Sequence, residues 1–68
     1  MIKFITVTDA ITKKEMLINT SLIAKVEESI YSTSNGEFSV RHILFVEDYG
    51  DEYITDTMKY LMNYLCNS

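Results

Sequence analysis

The sequence predicts an α+β fold: a small five-stranded, mostly antiparallel sheet or partial barrel with one C-terminal helix, built as a single β-rich domain over residues 1–68. Three observations predict it. Arg41 to Asp48 carries apolar side chains on both parities, Ile43 and Phe45 against Leu44 and Val46, as a central strand does. Turn signals flank that run at Asn35-Gly36 and at Asp48-Tyr49-Gly50-Asp51. Only residues 57–66 show helical spacing, with Met58, Leu61, Met62 and Leu65 at i, i+3, i+4 and i+7.

Taken in order, Ile2 to Thr8 is β-branched and aromatic on both parities and reads as the first strand. Asp9 to Lys14 is a mostly polar turn, and Glu15 to Asn19 is the second strand of a hairpin. Asn19-Thr20-Ser21 places side-chain acceptors next to free backbone N–H groups, which predicts one helical turn or a tight bend over Thr20 to Ile23. Ala24 to Tyr31 is the third strand, with one wet face. Asn35-Gly36 as the centre of a type I′ turn sets Val26 opposite Phe45 and Ile30 opposite Arg41; a longer Ser-rich loop over Ser32 to Glu37 is the alternative. A tight Tyr49-Gly50 turn pairs Phe45 with Ile54 and leads into a short fifth strand, Glu52 to Thr55. Thr55 or Asp56 then caps the helix. The apolar stripe faces the sheet, and Tyr60 and Tyr64 face outward, as plain amphipathic surface or as a contact for another chain.

Composition excludes several classes of function. A chain of 68 residues buries only about 60% of its extended surface and is usually reinforced by disulfides, a metal or a partner subunit. Cys66 is the only cysteine and His42 the only histidine, so neither an internal disulfide nor a typical structural zinc site is available. A formal charge of -4 with six scattered basic residues, Lys3, Lys13, Lys14, Lys25, Arg41 and Lys59, disfavours an electrostatic grip on nucleic acid. His42 has no Ser or Cys at hydrogen-bonding spacing in sequence, no phosphate-cradling glycine signature occurs, and Glu47-Asp48 with Asp51-Glu52 lacks the alternation of a calcium loop. No enzyme, cofactor or metal is expected. The strand-like start and the lack of an 18-residue apolar run predict a cytoplasmic protein without a membrane span. Many Ile, Lys, Asn and Tyr and no Pro point to an AT-rich genome, as in bacteria, their phages or mobile elements.

Met1-Ile2-Lys3, Leu17-Ile18-Asn19, Leu22-Ile23 and Val26-Glu27-Glu28, followed by Gly50 to Ile54 and a short helix, resemble the small FlbD-like family of flagellar operons. The order of elements is also similar to part of the LytTR DNA-binding domain. The resemblance implies a β-rich fold with a small regulatory or accessory role. It transfers no functional residue, since Ser29 to Val40 replaces a short link and Asp51-Glu52 stands where basic or polar residues suit a DNA-contacting turn.

The functional expectation is a non-enzymatic, homo-oligomeric interaction module that binds a protein partner or sequesters a small anionic ligand at a subunit boundary. One short helix covers one face of the sheet and leaves a second apolar face bare. Leu44, Val46, Tyr60 and Tyr64 are the expected interface residues, and Lys25, Arg41 and Tyr60 the expected ligand contacts. The alternative is a LytTR-like DNA-binding regulator, which requires Lys25 and Arg41, with Lys13 and Lys14, to converge on one surface.

Overall fold

Five strands, a 3-10 turn and a helix follow one another in a computed structural model that describes residues 3–65. They are β1 (Phe4–Thr8), β2 (Glu15–Asn19), the turn Thr20–Leu22, β3 (Ile23–Thr33), β4 (Gly36–Phe45), β5 (Asp51–Ile54) and α1 (Met58–Leu65). The expected strand start at Ile2, and Cys66 at the helix end, lie outside the described residues. The chain is α+β and mostly strand, but among the described residues its strands form two sheets, β1-β2 and β3-β4-β5, rather than one, and close no barrel. Backbone hydrogen bonds join the sheets along one short seam. An Asp9–Ile54 bridge, Ala10 N–H donating to the Tyr53 carbonyl (2.8 Å) and Thr55 N–H donating to that of Thr8 (3.0 Å) join them there. Beyond the seam the free edge of β1 is served by other groups. The Asp56 carboxylate accepts from Thr8 N–H (2.6 Å) and the Tyr60 hydroxyl donates to the Thr6 carbonyl (2.6 Å).

Both turn registers differ from expectation. Val26 pairs with Ile43 and Thr33 with Gly36, which leaves Ser34 and Asn35 in the turn. A type I′ turn requires positive φ at both central residues; here the positive φ falls on Gly36, at 125°. The Thr33 hydroxyl, accepting from Asn35 N–H at 3.1 Å, stabilises this placement. On the other side β4 ends at Phe45, whose N–H donates to the Gly50 carbonyl (3.0 Å), so Arg41 and not Phe45 pairs with Ile54. The wider turn is held by Glu47 (φ 55°) and Gly50 (φ 91°). Each of these two shifts is an even number of residues, so Val26, Ile30, Arg41 and Ile54 keep their expected faces.

The core is Ile5, Val7, Ile43, Ile54 and Leu61, with Met16, Ile18, Ile23, Val26, Phe45, Tyr60 and Leu65 packed around it. Thr57 caps the helix rather than Thr55 or Asp56, its hydroxyl accepting from Tyr60 N–H at 3.1 Å. The helix is also rotated from its expected setting: Tyr60 packs inward while Met62 is exposed. Its tether to β1 accounts for the rotation.

β3 and β4 run well past β5, which reaches only from Leu44 to Arg41. Residues 29–40 therefore form a two-stranded arm. The protein measures 42 × 26 × 20 Å with a radius of gyration of 12.0 Å, against about 11 Å expected for this length.

Candidate interaction surface on the β3–β4 arm

The turn between β1 and β2 is built on Asp9. Its carboxylate accepts from Ile11 N–H (2.7 Å) and Thr12 N–H (2.8 Å), its backbone N–H donates to the Lys14 carbonyl (2.9 Å), and its carbonyl accepts from Lys13 N–H (3.0 Å). Those N–H bonds hold the Asp9 carboxyl below its ordinary pKa. Beside it, Glu52 is pushed up, first by burial and then by the Asp9 and Asp51 carboxylates. The tight turn holds Lys13 at φ 65°, a left-handed setting uncommon outside glycine, and its ammonium lies 6.0 Å from the Phe38 ring centre.

This turn and the arm enclose a groove of about 330 Å³, lined by Ala10, Ile11, Lys13, Tyr31 and Phe38 with Thr33 and Asn35 at its end. The register explains the lining, because the pair Tyr31–Phe38 puts both rings on one face of the ribbon. Val40 shares that face by alternation and is buried, as is Ala10; neither belongs to the main core. Further along the same face, His42 stacks on Tyr53 (4.3 Å, 7°), and its Nε2 lies 2.7 Å from an Asp51 carboxylate oxygen. Among the described residues no hydroxyl or thiol bonds to this pair, and no acidic, His and Cys groups cluster as a metal site would need.

The residues expected to contact a ligand each have partners within the chain. Arg41 is buried, at 8% exposure, with its guanidinium donating to the Thr55 carbonyl (2.9 Å), the Glu28 carboxylate (3.1 Å), the Ser39 carbonyl (3.3 Å) and the Ser39 hydroxyl (3.4 Å). It closes the sheet where β5 turns away. Lys25 is exposed and paired with Glu27 at 3.5 Å. The Tyr60 hydroxyl is committed to β1, and burial raises its pKa first, followed by the charges of Tyr64, Asp56 and Glu15. The basic set proposed for DNA thus loses Arg41 to the interior.

Of the expected interface residues, Leu44, Val46 and Tyr60 are half-buried, and only Tyr64 is exposed. The large apolar side chains left bare are others: Phe4 and Leu17 on the β1–β2 sheet, Ile11, Ile30 and Phe38 around the arm, and Tyr49 and Met62. Alternation of Phe38, Val40 and His42 carried the signal for the arm, but the surrounding Ser, Asn and Gly residues suit a loop as well as a hairpin. Among the described residues no helix is long and apolar enough to cross a membrane. Set against known proteins, the chain matches no family model, no curated protein and no solved structure.

Proposed function

We propose that this chain is a non-enzymatic interaction module that works as a homo-oligomer and binds a partner along the β3–β4 arm. One observation carries the reading: the β3–β4 arm projects beyond the core and leaves Ile11 and Phe38 exposed at the groove on one of its faces and Ile30 exposed on the other. Scattered apolar residues are ordinary on a protein surface. The grouping of Ile11 and Phe38 on a groove walled by a rigid turn is not, and a small protein with a thin core gains stability by covering it. Light scattering behind a sizing column tests the oligomer. The expected mass at micromolar concentration is a multiple of 7.9 kDa, and a mass of 7.9 kDa throughout removes the reading.

A further inference from the structure

We infer that the second copy docks on the free edge of β3, pairing antiparallel about Ile30 so that the two three-stranded sheets become one. This inference rests on the self-association proposed above and names its surface. Five strand edges compete for that role. The edge of β5 is four residues long and is taken at the seam, where Ala10 N–H donates to the Tyr53 carbonyl. The edge of β1 is sealed by Asp56 and Tyr60, that of β2 is only five residues long, and β4 beyond β5 has its Ser39 carbonyl occupied by Arg41 and carries the charge of Glu37. β3 is eleven residues long and pairs on one side only.

Its outward groups follow from the ladder. Phe45 N–H donates to Gly50, so the odd residues of β4 address β5 and the even ones address β3. The residues opposite those even positions, Glu27, Ser29 and Tyr31, are then turned inward. Val26, Glu28, Ile30 and Ser32 direct N–H and C=O away from the sheet. The first half of the strand is guarded by Lys25, Glu27 and Glu28, as exposed edges usually are, whereas Ser29 to Thr33 carries no charge.

Self-complementarity selects the register. Centring on Glu28 or Glu27 sets like charges face to face, and centring on Ser29 sets Ile30 against Glu28 of the other copy. Centring on Val26 matches Lys25 with Glu27 but meets the bulge between Ile23 and Lys25. Centring on Tyr31 sets Ile30 against Ser32. Centring on Ile30 faces that side chain, 65% exposed in the single copy, with its own equivalent. Glu28 then meets Ser32 and Glu27 meets Thr33, and each narrow pair along the seam exchanges two backbone hydrogen bonds.

Amide hydrogen exchange of the wild-type protein tests this with no variant. Raising the protein concentration a hundredfold is expected to slow the amides of Val26, Glu28, Ile30 and Ser32 by about tenfold or more, leaving Glu15 and Leu17 on the β2 edge unchanged. Ser32→Pro removes an outward N–H while sparing the β3–β4 ladder, and is expected to yield monomer with an unaltered circular dichroism spectrum. A wild-type oligomer whose four β3 amides exchange independently of concentration overturns the β3 seam and leaves self-association standing. A wild-type protein that is monomeric at every concentration overturns both.

Discussion

Arg41 shows how a residue that looks like a ligand contact becomes part of the framework. Its guanidinium supplies donors to the Ser39 carbonyl on the part of β4 beyond β5 and to the Thr55 carbonyl just past β5, while its ionic partner Glu28 is largely exposed and screened by solvent. The neutral contacts therefore dominate. Arg41→Met is expected to lower unfolding free energy by about 2–3 kcal/mol, because the Thr55 and Ser39 carbonyls lose their donor, and Glu28→Gln by less than about 0.5 kcal/mol; urea titration separates the two. Equal losses would assign the stability to the ion pair instead. At Glu52 the folded state favours the protonated form, so its contribution is complete below its ordinary value near 4.5 and fades as pH rises through the raised folded value. Glu52→Gln should thus raise the thermal midpoint at pH 7, with the gain vanishing below pH 4.5. A gain that persists in acid would mean that the ionised carboxylate is not what burial and Asp9 disfavour. Sequence could show that Arg41 and Glu52 were chargeable; their environments are set by where β5 ends, which no local pattern encodes.

Among the elements, the hairpin and the helix differ most from the pattern that announces them. Asn35-Gly36 was legible as a turn, yet Thr33 supplies a hydroxyl that fixes the turn one residue earlier and passes the positive φ to Gly36 alone. Gly36→Ala is therefore expected to cost about 1–2 kcal/mol through backbone strain, since nothing lies near the added methyl group. Asn35→Ala should cost less than about 0.5 kcal/mol, and comparable losses at the two sites would restore the type I′ reading. In the helix the i, i+3, i+4 stripe identified Leu61 and Leu65 correctly but could not register the pull of Thr6 on Tyr60. Tyr60→Phe should cost about 1 kcal/mol and Met62→Lys almost nothing. The reverse order would return Tyr60 to the outer face.

For the molecule as a whole, the strand order, the C-terminal helix and the surplus of apolar side chains were readable from alternation and spacing. The position of the surplus was not. Leu44, Val46 and Tyr60 are sheltered by the β4–β5 turn, the Leu22–Val46 contact and the helix tether, all of which depend on register. Exposure passes instead to Phe4, Leu17, Ile11, Ile30 and Phe38, residues on the short sheet, the turn and the arm. A protein of this size with that much uncovered surface is expected to draw part of its folded stability from a second copy, and mass action makes such stability depend on concentration. The thermal midpoint measured over a hundredfold range of protein concentration tests this most directly: a rise of roughly several degrees is the predicted result, and a midpoint independent of concentration would contradict it.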